Sequence, residues 1–89
     1  ANRVIVFSDR PAKIQAQHPE VSAGFWLRLQ DILDEPDAVD AKGGKVGVWK
    51  RIDGIAWRII LKASAEGEIF LNSVYRGRDK ALSRILEGE

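Results

Sequence analysis

The run Ile55-Ala56-Trp57-Arg58-Ile59-Ile60-Leu61-Lys62-Ala63 constrains this chain more than any other stretch. It is the longest β-type segment, rich in Ile and carrying a Trp, yet two cations interrupt it. Arg58 and Lys62 are four residues apart, so on a strand their side chains leave the same face. Trp57, Ile59 and Leu61 leave the opposite one. Such a strand packs a core with one face and turns a basic row outward with the other. That arrangement calls for a sheet and suggests an anionic partner lying across it.

With 89 residues the chain fits one domain. A domain of this size buries roughly 60–65% of the surface its unfolded chain exposes, enough for a modest core. A hydrophobic content of 45% with three Trp argues for a packed globule over a disordered tail. The absence of Cys excludes a disulfide framework and a thiolate zinc site. No apolar run approaches the ~20 residues that span a bilayer, and no signal-peptide pattern opens the sequence. Net charge is +1, but residues 1–41 carry −3 and residues 42–89 carry +4. The second half is therefore the anion-binding candidate, although small domains also split charge this way by chance.

Val4-Ile5-Val6-Phe7 reads as a short strand. Ser8 then offers a helix cap, Pro11 suits a first turn, and Pro19 stops the helix at His18. From Ser22 a second helix is expected, with Phe25, Trp26, Leu29, Ile32 and Leu33 on one face. Pro36 ends it. Residues 35–45 read as a loop with a short extended piece at Ala38-Val39. Val46 to Ile52 alternates as a strand. Asp53-Gly54 is a hairpin signal leading into the Ile55 strand. After a turn at residues 65–67, Glu68 to Arg76 reads as a third strand. Asp79 caps a last helix with Ala81, Leu82, Ile85 and Leu86 on its apolar side.

The expected fold is α+β: two N-terminal helices packed on one face of a small antiparallel meander, with a short C-terminal helix. A symmetric loop after Ala63 pairs Ala63 with Glu68 and sets Arg58 opposite Ser73. Arg58, Lys62, Ser73 and Tyr75 then share one face, and Trp57, Ile59, Leu61, Phe70 and Val74 the other. A one-residue bulge at Gly67 breaks that registry.

His18 is the single histidine, and imidazole is the side chain most often used for general acid–base work near neutral pH. A lone His is more often a surface or capping residue. Arg58 and Lys62 suit an anionic phosphorane; the plainer account is a solvated sheet face whose long stems cover Ile60. Ser73, Tyr75 and Arg76 offer a hydroxyl, a phenol and a guanidinium to a phosphate, and Tyr75 can stack on a base. The plainer account of Tyr75 is a cross-strand aromatic. Arg78, Lys80 and Arg84 extend the basic stretch, as helix-surface charges or as followers of a nucleic-acid backbone. No glycine-rich phosphate loop precedes a helix, and no pair of His, or His with carboxylates, has metal spacing. Asp37 and Asp40, near Asp34, could hold a cation, but they read more simply as solvated loop acids. No cofactor is implied.

Several segments together resemble a known superfamily. They are Val4-Ile5-Val6-Phe7-Ser8-Asp9, Lys13, His18-Pro19-Glu20, Leu29 to Leu33-Asp34-Glu35, Trp57 to Ala63, and Ile69-Phe70-Leu71-Asn72-Ser73-Val74-Tyr75-Arg76. The pattern resembles the phage-type nuclease domains of the barnase, EndoU, colicin and RelE-like superfamily, found at the C-terminus of Mu-like phage MuF-type head-morphogenesis proteins. The resemblance implies a barnase/RelE-like α+β fold for residues 1–89 as a single nuclease-like domain of a longer phage or prophage protein, cytoplasmic or virion-associated. It implies metal-independent endoribonuclease action on RNA, in which a 2′-hydroxyl attacks its neighbouring phosphate. His18 would be the acid/base, with Lys62 and Arg58 stabilising the phosphate and Ser73, Tyr75 and Arg76 orienting it. One His for two proton transfers makes Lys62 or Tyr75 the second group. Partners would be RNA and an immunity or head protein, with no membrane. The competing expectation is a non-catalytic module of a head or portal-associated protein that binds protein or nucleic acid.

Overall fold

The computed structural model describes residues 4–88, the Ala23 side chain excepted. The elements run β1 (Val4–Ile5), α1 (Arg10–Gln17), α2 (Ala23–Leu27), α3 (Leu29–Asp34), β2 (Ala38–Lys42), β3 (Lys45–Ile52), β4 (Ile55–Ala63), β5 (Ile69–Arg76) and α4 (Asp79–Leu86). The fold is α+β, as the sequence implies. One five-stranded sheet has the order β1-β5-β4-β3-β2.

Four strands, β2 to β5, form an antiparallel meander, but β1 joins β5 in parallel, so the sheet is mixed and not purely antiparallel. The long chain between β1 and β5 allows this: it returns through α1 to α3 and the whole meander before reaching β1's flank. The short extended piece expected at Ala38-Val39 is the start of a full strand, β2, that runs on through residues 40–42 of the expected loop. Its register is set by the Gly43-Gly44 turn, where φ is +60° and +76°. Both values lie in the left-handed region that glycine enters without a Cβ penalty and that a two-residue hairpin of this hand demands. Asp53-Gly54 forms the next hairpin in the same way, at φ 52° and 80°.

The helix expected from Ser22 is two short ones. At Arg28 the backbone moves to φ −99°, ψ −4°, and its N–H bonds Phe25 and Trp26 carbonyls in a tightened turn. Ser22 has the extended geometry of a cap but its side chain makes no capping bond, and Asp9, not Ser8, holds the cap position of α1. Pro11 does sit in the first turn of α1, where no N–H is needed. The caps are therefore weak, and these helices are held mainly by the face they bury.

That face meets β3, β4 and β5. Ile14, Val21, Phe25 and Ile32 pack on Val48, Ile59, Leu61, Leu71 and Val74, with Trp57 alongside. Ile59 and Val74 are fully excluded from solvent, each burial stabilising by about 1.5–3 kcal/mol. The C-terminal helix lies elsewhere. α4 packs Leu82, Ala81 and Ile85 on Trp49 and Ala56, the face opposite α1 to α3, so the helices are not all on one side. Arg51 fastens α4 there through Asp79 (2.7 Å) and Ser83 (3.4 Å).

The β4–β5 register departs twice from the symmetric expectation. Ala63 pairs with Ile69, not Glu68, and a bulge between Leu71 and Ser73 adds a further residue. Arg58 therefore stands opposite Tyr75, and Ser73 opposite Ile60. Each slip alone reverses the side-chain parity; together they restore it. Ser73 and Tyr75 thus share the face of Arg58 and Lys62 as expected. Phe70, lying between the slips, pairs with Lys62 and joins that face instead of the core. Among the described residues no helix is long and apolar enough to cross a membrane.

Candidate functional site

The face of β4 turned away from α1 to α3 carries Ala56, Arg58, Ile60 and Lys62. α4 covers the Ala56 end. The middle of the face holds a row of polar side chains running from one flank of the sheet toward the other.

Arg58 is its centre. Its side chain is only 19% exposed. Nη2 donates to Asp40 Oδ1 at 2.6 Å and Nε to Asp40 Oδ2 at 3.2 Å, a two-point pair. Trp49 Nε1 donates to the same Oδ2 at 2.6 Å. Nη1 donates to Tyr75 Oη at 2.5 Å. The guanidinium carbon lies 5.6 Å from the Trp49 ring centre and 5.9 Å from that of Tyr75, within cation–π reach of both. Burial pushes the Asp40 carboxyl up, but the bonds from Arg58 and Trp49 outweigh it and hold the group below its ordinary range. The bond to Asp40, against a smaller opposing effect of burial, raises Arg58 further, so its charge is permanent.

Glycine makes the pair possible. Asp40 is on β2 and Arg58 on β4, with β3 between, and Gly47 is the β3 residue opposite Asp40. A Cβ there would lie 2.5 Å from Arg58 Nε and 2.7 Å from Asp40 Oδ1. Gly77 does the same for Trp49, whose ring occupies the space a Cβ would need.

His18 approaches from the side. Among the described residues β1 pairs with only Ile69 and Phe70 of β5, leaving the far end of β5 with no strand on the side away from β4. α1 packs against β5 and delivers its cap residue, His18, to that end. The His18 and Tyr75 ring centres are 5.7 Å apart at 32°. Glu20 Oε2 lies 3.6 Å from His18 Nδ1 and accepts the Arg76 backbone N–H at 3.4 Å. The backbone around Glu20 itself, then the Arg76 N–H and His18, hold the Glu20 carboxyl below its usual range.

The structure thus brings together three of the residues singled out from sequence: His18, Tyr75 and Arg58. Ser73 lies on the same face, half-buried, two residues from Tyr75. Lys62 shares the face but stands four residues along β4, roughly 13 Å from Arg58. Arg76 pairs with Trp57, so its side chain leaves the other face. Arg78 and Lys80 are exposed at the start of α4. Asp40, expected as a solvated loop acid, instead accepts from Arg58 and Trp49; Trp49 and Glu20 carry no role in the sequence reading.

Chemically, the row offers an imidazole, a phenol whose proton is free to be donated because its oxygen accepts from Arg58, and a fixed cation behind it. Two of Arg58's five N–H donors remain uncommitted. Among the described residues no three His, Asp or Glu side chains are grouped to hold a metal ion. A cleft of about 540 Å³ lies beside α3 and β3 with Asp31, Asp34 and Glu35 on its wall, and contains none of the row. Comparison of the chain with family models, curated proteins and solved structures finds no match.

Proposed function

We propose that the chain is a metal-independent endoribonuclease-like domain of the barnase, EndoU, colicin and RelE-like type, acting through the His18–Tyr75–Arg58 row. The observation that carries the reading is the convergence of these three side chains, from α1, β5 and β4, on the sheet face away from α1 to α3.

In this reading an RNA phosphate lies over Tyr75. His18 removes the 2′-hydroxyl proton, and the oxygen attacks the adjacent phosphorus. The bond to the 5′-oxygen breaks, the Tyr75 hydroxyl supplies its proton, and a 2′,3′-cyclic phosphate remains. Arg58, acting through Tyr75 and its two uncommitted N–H groups, stabilises charge on the phosphorane. Ser73 hydrogen-bonds the phosphate from the next position along β5. A phage or prophage setting with an immunity partner accompanies this reading.

The test is incubation of the purified domain with labelled RNA in the presence of a chelator. Cleavage is expected, and His18→Ala and Tyr75→Phe each lose about 100-fold or more. Intact RNA at high protein concentration sinks the enzyme.

A specific observation supports a second reading. Asp40 already neutralises Arg58, and Glu20 stands beside His18, so two carboxylates sit where a phosphate is to bind. A non-catalytic module on the same scaffold, binding nucleic acid or protein, accounts for that. RNA bound but uncut in the same assay selects it.

A further inference from the structure

Beyond the polar row, the far end of the same sheet face carries a second feature. The Gly43-Gly44 turn sets Lys42 opposite Lys45, and Lys45 stands opposite Lys62. Lys62 in turn stands opposite Phe70, and Phe70 lies beside Ile5. Directly opposed residues point to one face, so three ammonium groups line up across β2, β3 and β4, all exposed. Strands are spaced ~4.8 Å apart, so the row spans roughly 10 Å, and the aromatic follows one strand further on. The Phe7 ring stacks on Phe70 with centres 5.3 Å apart and planes at 13°. Phe7 is 52% exposed.

Such a row is costly for the fold alone. Like charges directly opposed across strands repel. Among the described residues none of the three lysines has a carboxylate partner within ion-pair distance. Asp40, two residues before Lys42, is committed to Arg58 and Trp49. Glu68, two residues before Phe70, is the nearest acid along β5, and it forms no ion pair with Lys62. An exposed ring ending the row adds apolar surface that the core does not use.

We propose that Lys42, Lys45, Lys62 and the Phe7–Phe70 stack form a binding surface for single-stranded RNA, the lysines following successive phosphates and Phe7 stacking under a base. Charge complementarity and the open aromatic face single out this occupant: a backbone-following cationic groove beside a stacking platform is how single strands are held without sequence readout. A duplex keeps its bases paired and gives Phe7 nothing to stack on. The choice of polymer rests on the ribonuclease reading above, while the surface is measured by binding alone.

The experiment is fluorescence anisotropy with a labelled 12-nucleotide RNA, over a series of salt concentrations in chelator. A strand with 2′-O-methyl groups throughout is run in parallel so that cutting cannot interfere. The variants are Lys42→Ala/Lys45→Ala/Lys62→Ala, Phe7→Ala, and Lys13→Ala as an α1 control, each checked for folding by circular dichroism. The triple variant is expected to bind at least tenfold more weakly, with its log–log salt slope reduced by about 2. Phe7→Ala is expected to bind about fivefold more weakly or worse, with the slope unchanged. Wild-type affinity and slope in the triple variant overturn the proposal, and so does a duplex bound as tightly as the single strand. Lysine-dependent binding without cleavage keeps the surface and removes the enzyme; cleavage with binding indifferent to the lysines does the reverse.

Discussion

Asp40 and Arg58 form a two-point ion pair that passes over an intervening strand. They belong to β2 and β4, and the pair crosses β3 above Gly47, where a Cβ would lie 2.5 Å from Arg58 Nε. The pair ties the edge hairpin to the centre of the sheet and fixes the guanidinium that holds Tyr75.

Gly47→Ala is therefore expected to displace Arg58 or Asp40, because the obstructing atoms are the bonded ends of the pair. We expect a loss of about 2 kcal/mol or more in unfolding free energy, read from the urea midpoint. An unchanged midpoint contradicts the role given to Gly47.

Removing one partner of the pair is expected to cost more than its share of contacts. Arg58→Ala leaves Asp40 partly buried with Trp49 as its remaining side-chain donor. Each single change, Arg58→Ala or Asp40→Ala, is expected to destabilise by about 2 kcal/mol, less than for a fully buried pair because both side chains retain some water contact. The double variant is expected to fall short of the sum by about 1 kcal/mol. Strict additivity in a double-mutant cycle contradicts a coupled pair.

The pH dependence follows from Asp40. Its carboxyl lies below its ordinary value of 3.8, burial being outweighed by bonds from Arg58 and Trp49. A group depressed in the folded state contributes stability that is fully present above its unfolded pKa and is lost as pH falls through the folded one. The expected loss begins below about pH 5 and grows as the acid limb is descended. Asp40→Asn is expected to flatten this limb in urea titrations while lowering stability at pH 7. Parallel acid limbs in the two proteins contradict the assignment.

The lysine row makes a prediction of opposite sign. Lys45 stands between Lys42 and Lys62, so Lys45→Thr removes two repulsions and places a β-branched residue on a strand. A gain of about 0.5 kcal/mol is expected at low salt, shrinking in 0.5 M salt as screening takes over. A loss of stability at both salt concentrations contradicts an uncompensated row.

The period-2 alternation of β4 was legible in the sequence, and with it the common face of Arg58 and Lys62 and the core face of Trp57, Ile59 and Leu61. The common face of Ser73 and Tyr75 was also legible, but only because two register slips cancel. Phe70, between the slips, could not be placed by counting. Asp40 reads as a solvated loop acid because Ala38–Lys42 sets one Val among Ala, Asp and Lys, residues with poor strand propensity, and pairing with β3 overrides it. Two signals were available: Gly43-Gly44 is a hairpin dipeptide, and Gly47 inside a strand marks a close approach. His18's position beside Tyr75 depends on β1 being too short to flank β5 as far as Tyr75, a fact of tertiary structure. The parallel pairing of β1 was likewise beyond local pattern.

The account's central claim is cleavage by the RNA's own 2′-hydroxyl over the His18–Tyr75–Arg58 row. The most direct measurement uses a DNA oligonucleotide carrying a single ribonucleotide, incubated with the protein in chelator and resolved by mass spectrometry. Cutting only 3′ to that ribonucleotide, leaving a 2′,3′-cyclic phosphate, is the predicted result. No cutting, or cutting at deoxynucleotides at a comparable rate, contradicts it.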